Sequence, residues 1–160
     1  WCDSAGAVQL RERRRVRRRM LPGGWELEWT SVLTAEDRVV LHSPGSKGRE
    51  GAGHGGWFWR LPDLDPRSVQ VFSPDGVGEE HVNGRPAPWL AVVVSEPGRG
   101  PDRRVWTAVL SGPTDPWFVR VGQYLGIGSA LAWDAPVVLE PGQEREVVVR
   151  VALYDGVRPP

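Results

Sequence analysis

The stretch WELEWTSVL, Trp25–Leu33, alternates strictly at its start: Trp25, Leu27, Trp29 and Leu33 fall on one side, and Glu26, Glu28 and Thr30 on the other. Side chains of an extended chain point alternately to opposite faces, so this period of two specifies a half-buried strand. Working outward, further β-branched runs follow as RVVLHS (38–43), SVQVFS (68–73), PWLAVVVSE (88–96), RRVWTAVLS (103–111) and REVVVRVALY (145–154). Asp75-Gly76, Asn83-Gly84 and Asp155-Gly156 supply turn chemistry between them, because each dipeptide accepts positive φ cheaply. The reading is eight or nine strands. YLGIGSALAW (124–133) is the one place where a short helical turn is considered, and its glycines weaken it.

The expected fold class is all-β: an antiparallel β-sandwich. Glycine and proline together contribute 35 of the 160 residues, scattered through the chain, which argues against long helices. A chain of this length supports one domain with its own core, taken as residues 1–160, with 1–24 set apart as an arginine-rich N-terminal segment. That segment holds seven arginines between Arg11 and Arg19, while the whole chain has a formal net charge of zero. An extended segment of this kind presents arginines from an exposed sheet surface and opposes edge-to-edge aggregation. Nucleic acid is not an expected partner, since no aromatic residue is interleaved with the arginines.

No apolar run approaches the roughly 20 residues of a bilayer-spanning helix, so a soluble chain with no membrane partner is expected. Cys2 is the sole cysteine, which excludes an internal disulfide and fits a cytoplasmic setting. The three histidines, His42, His54 and His81, lack metal-ligand spacing, and neither a metal nor a cofactor is expected. The chain opens on Trp1 with no methionine, and a missing beginning is the expectation.

GHGGWFWR (53–60) carries the main functional interest. Strand parity divides it: Trp57, Trp59 and Leu61 share one side, expected to pack in the core, while His54, Phe58 and Arg60 share the other. The second face combines a stacking surface with hydrogen-bond donors. WFVR (117–120) repeats the logic, with Phe118 and Arg120 opposite Trp117 and Val119. If both strands lie in one sheet, Arg60 and Arg120 line the same surface; the alternative is that Arg120 is a solvated edge residue. Glu79, Glu80 and His81 form an acidic-histidine cluster before Asn83-Gly84, read either as a source of a base or as a solvated hairpin end.

Five motifs in order, GGWELEWTSVL, GREGAGHGGWFWRLP, HVNGRPAPWLAV, DPWFVRVGQYLGIGSAL and LEPGQEREVVVRVALYDG, resemble the bacterial family labelled methane oxygenase PmoA, from about Trp25 to Gly156. That family is similar to the galactose-mutarotase supersandwiches, whose large antiparallel sheets hold a sugar on a concave face. Its members are about twice this length, so the resemblance implies a supersandwich-like partial domain, the C-terminal portion of a longer protein. It also implies sugar chemistry with His54 as acid and Glu79, Glu80 or Asp134 as carboxylate partner, contacts that spacing does not specify. The ligand contacts it suggests are Phe58, Arg60, Trp117, Arg120 and Tyr124.

Three functions are carried forward. The first is binding, with or without processing, of a carbohydrate or sugar-derived small molecule. The second is a non-catalytic structural or sugar-binding module. The third is the metal-dependent oxygenase of the family label. A truncated supersandwich exposes an apolar sheet face, which brings an oligomer or another partner into consideration.

Overall fold

A computed structural model describes residues 1–53, 55–62, 64–96, 105–122 and 124–158. In chain order its elements are β1 (Leu10–Leu21), β2 (Gly24–Ala35), β3 (Val39–Leu41), β4 (Phe58–Arg60), a 3-10 turn (Pro66–Ser68), β5 (Val69–Ser73), β6 (Gly76–Val77), α1 (Glu79–Val82), β7 (Trp89–Ser95), β8 (Val105–Ser111), β9 (Trp117–Arg120), β10 (Gly126–Ser129), β11 (Val137–Leu139) and β12 (Glu144–Asp155). The fold is all-β and sandwich-like, with no closed barrel.

One seven-stranded antiparallel sheet, ordered β1-β2-β12-β8-β7-β5-β6, forms the base. β1 and β2 pair residue for residue from Leu10–Ala35 to Leu21–Gly24, and Pro22-Gly23 makes the reversal. Proline sets its own φ there, and Gly23 takes φ 75°, the left-handed value that such a two-residue turn needs. The arginine-rich segment is therefore an integral edge strand of the sheet, not an appended arm.

The inner face follows from parity. Val71 of β5, Leu90, Val92 and Val94 of β7, Ala108 and Leu110 of β8, and Val149 of β12 are all fully buried. Across from them lie Trp117, Val119 and Ile127 of a three-stranded sheet, β4-β10-β9, which closes the main core over this half of the base. A two-stranded sheet, β11-β3, covers a smaller core of Leu10, Leu33, Ala35 and Leu139 at one end of the β1-β2 hairpin.

Two local readings are decided, the second as a correction. YLGIGSALAW contains β10, the central strand of the three-stranded sheet, where the space left by Gly126 is filled by the rings of Tyr124 and Phe58 and that left by Gly128 by the Trp57 carbonyl. Glu79–Val82 forms a single helical turn instead of a hairpin end, with Asn83 as its C-cap.

Candidate functional site

The outer face of β4-β10-β9 gathers most of the ligand contacts expected from the sequence. Gly126 pairs with Arg60 on one side and Arg120 on the other, and Gly128 pairs with Phe58 and Phe118. Side chains of directly opposed residues share a face, so both arginines flank one glycine and both phenylalanines flank the other. Arg60 and Arg120 do line one surface. Trp59, Ile127 and Val119 make the opposite row and point into the core.

Gly126 gives room to the rings above it, and Gly128 to the Trp57 carbonyl. A Cβ on Gly126 would sit 2.6 Å from Cε2 of Tyr124 and 2.7 Å from Cζ of Phe58. Phe58 is 6.1 Å from Phe118 and 6.5 Å from Tyr124, centroid to centroid, in tilted and edge-on arrangements that aromatic quadrupoles favour. Each guanidinium lies 5.0 Å from a ring centroid, Arg60 over Tyr124 and Arg120 over Phe118, within cation–π range.

The two arginines differ in what else they touch. Arg120 donates from Nη1 to Glu79 Oε1 at 2.9 Å and to the Val119 carbonyl at 3.0 Å, and from Nη2 to the Gly51 carbonyl at 2.5 Å. The second Glu79 oxygen accepts the Val121 backbone N–H at 2.7 Å, and Asn83 Oδ1 accepts that of Val119 at 3.0 Å. The α1 turn thus caps the free edge of β9, and Arg120 is structurally committed. Arg60 is exposed and has neither an ion pair nor a hydrogen bond among the described residues. Phe58 is also exposed, at 44%.

The expected acid–base set is not assembled on this face. His54 lies outside the described residues. Glu80 is largely solvated and sits 3.2 Å from Nδ1 of its neighbour His81. Asp134 is an exposed turn residue. Trp117 is fully buried, with its indole N–H donating to the Ala87 carbonyl at 3.0 Å, so the expectation that it contacts a ligand is corrected: it is core. Among the described residues no three His, Cys, Asp or Glu side chains converge, and no helix is long and apolar enough to cross a membrane.

A second concavity was not anticipated. Where the three-stranded sheet stops short, the inner face of β1, β2 and β12 forms one wall of a cleft of about 430 Å³, opposite Trp57 and Trp59. Trp25, Leu27 and Trp29 of β2 and Val149 of β12 line it. Trp57 and Trp59 do pack against the main core as parity required, but both are only half-buried and serve the cleft as well.

At one end of the cleft stands Glu12, which accepts hydrogen bonds from Arg14, Ser31 and the Trp1 indole. Those bonds, Arg14 first and then Ser31 and Trp1, outweigh desolvation and hold its carboxyl pKa at about 2. The Glu12–Arg14 pair at the end of the cleft was not singled out from the sequence. Its only sequence signal was a lone acid inside the arginine run.

No curated protein and no solved structure matches the chain significantly. Residues 1–159 match a family described as a family of unknown function, DUF6807, and the chain belongs to that family.

Proposed function

We propose that this protein binds a carbohydrate or an acidic sugar derivative on the outer face of β4-β10-β9. The observation that carries the reading is Arg60, exposed, without an ionic partner among the described residues, and laid over Tyr124 beside the exposed ring of Phe58. The apolar face of a pyranose stacks on a ring such as Phe58. The planar guanidinium fork donates in parallel to a carboxylate or to paired hydroxyls. Gly126 lets ring and fork sit close to the backbone, and Arg120, fixed and neutralised by Glu79, leaves Arg60 as the unpaired cation of this face among the described residues. The resemblance to sugar-holding supersandwiches points the same way.

Binding without turnover is favoured by one specific contact pattern. Glu79, the carboxylate beside Arg120 on this face, has each oxygen engaged, by Arg120 and by the Val121 N–H, and is not poised to take a hydroxyl proton. The test is calorimetric titration with a hexuronate and with the matching neutral hexose. Arg60→Ala is expected to weaken the uronate roughly ten-fold, the loss of one charge-assisted contact, and to affect the neutral sugar less. Phe58→Ala is expected to weaken both. Uronate affinity unaltered by Arg60→Ala refutes the proposal.

A further inference from the structure

The cleft between the large sheet and Trp57/Trp59 differs in chemistry from the Arg60 face. Its walls are indole and aliphatic, so it has few groups with which to match the hydroxyls of a sugar. Its one acid is internally satisfied. Both Glu12 oxygens accept from Arg14, and the remaining capacity is taken by Ser31 and Trp1, so the inner end presents a neutralised pair to any occupant.

The charge that is not neutralised stands at the open side. Along β1, Val16, Arg18 and Met20 share the inner face and pair with Trp29, Leu27 and Trp25 respectively, three of the residues lining the cleft. Arg18 is therefore directly across from Leu27. It is exposed and forms no ion pair among the described residues, whereas Arg11, Arg14, Arg17 and Arg19 on the same strand each meet a glutamate. Val16 and Met20, 51% and 70% exposed, place apolar surface on either side of that guanidinium.

We infer that this cleft binds an amphiphile with one apolar body and one anionic head, the class that includes fatty acids and arylalkyl carboxylates. The body lies between β2/β12 and Trp57/Trp59, out of water, and the carboxylate meets Arg18 at the rim. A volume of about 430 Å³ is within the range of small-molecule sites. A second copy of this chain, docked edge to edge, would oppose two strands on each of which Arg13, Arg15 and Arg18 meet no acid among the described residues, and like charges make that occupant unfavourable. The inference does not rest on the Arg60 site.

The test uses dodecanoate and dodecanol, each below its aggregation concentration at pH 8, titrated into the full chain with tryptophan fluorescence and calorimetry as readouts. Dodecanoate is expected to bind saturably, one per chain, and to perturb indole emission. Arg18→Ala, at an exposed position, is expected to weaken dodecanoate about three-fold, as for an exposed ion pair, and leave dodecanol unchanged. Leu27→Trp, which fills the cleft, is expected to weaken both roughly ten-fold or more, with near-ultraviolet circular dichroism establishing that the variant is folded. Arg60→Ala is expected to alter neither, which separates this site from the sugar face. Absence of saturable binding overturns the inference, as does equal loss of both ligands in Arg18→Ala. A stable dimer that excludes dodecanoate overturns it too and assigns the cleft to self-association.

Discussion

Alanine at Gly126 should be tolerated and alanine at Gly128 should not, although the two glycines are two residues apart on the same strand and face. At Gly126 the new Cβ meets only ring atoms, Tyr124 Cε2 at 2.6 Å and Phe58 Cζ at 2.7 Å. These are the far ends of side chains, and a retreat of about 0.9 Å restores ordinary contact. At Gly128 the new Cβ meets the Trp57 carbonyl oxygen at 2.7 Å. That oxygen accepts the Ser129 N–H at 2.9 Å and holds the approach to β4 against β10, so it cannot retreat without breaking the ladder. Replacing glycine also restricts the unfolded chain, a gain of about 0.4–1 kcal/mol in both variants. For Gly126→Ala this offsets the ring displacement, and the net change should stay within about 1 kcal/mol. For Gly128→Ala the overpacking cost of about 3 kcal/mol dominates. Net of that gain about 2–2.6 kcal/mol is lost at Gly128, and with about 2–4 °C per kcal/mol for a chain of this size Tm should fall by about 4–10 °C there and hardly move at Gly126. Thermal melts followed by circular dichroism measure both. Uronate titration of the folded Gly126→Ala protein should then show weakened binding, because its rings have moved. Equal destabilisation by the two substitutions would refute the distinction between yielding side chain and unyielding backbone.

Glu79→Ala should cost about 3 kcal/mol in urea denaturation and Glu79→Gln about 1 kcal/mol, since glutamine still accepts the Val121 N–H but leaves half-buried Arg120 without its counter-charge. The Glu12 carboxyl pKa is held at about 2, below its unfolded value, so its contribution to stability is complete above about pH 4.5 and is lost as pH falls toward 2. Glu12→Gln should therefore flatten the acid limb of a stability–pH profile over that window; an unchanged profile would show that its partners do not act on it in solution. Trp117→Phe should cost about 2 kcal/mol, chiefly by stranding the Ala87 carbonyl, while leaving uronate affinity as it was because the ring is fully buried.

Alternation along the chain makes most of the large sheet legible in the sequence. Trp25, Leu27, Trp29 and Leu33 share the inner face as their spacing requires, and 145–154 lies within β12 beside them. The division of WFWR into a packed side and an open side is legible for the same reason: parity is a local property of an extended chain. The β10 strand is not, because what replaces a side chain at Gly126 and Gly128 comes from elsewhere in the chain: the rings of Phe58 and Tyr124 beside the first and the Trp57 carbonyl beside the second. Glu79 looks solvated in the sequence for a similar reason. Its partner Arg120 is 41 residues away, and no local pattern announces that contact. The cleft is the least legible feature of all, since it exists only where the upper sheet ends short of β1 and β2.

The strand β4 is three residues long, and its two sides belong to different compartments: Trp59 reaches the cleft while Arg60 stands on the outer face. It is a partition one chain thick, hydrogen-bonded to β10 along one edge. Consecutive residues of a strand share a planar peptide, so a shift of the backbone at Trp59 would carry the backbone of Arg60 with it. Any coupling between occupants of the two compartments would run through this strand, and thermodynamic reciprocity would make it equal in both directions.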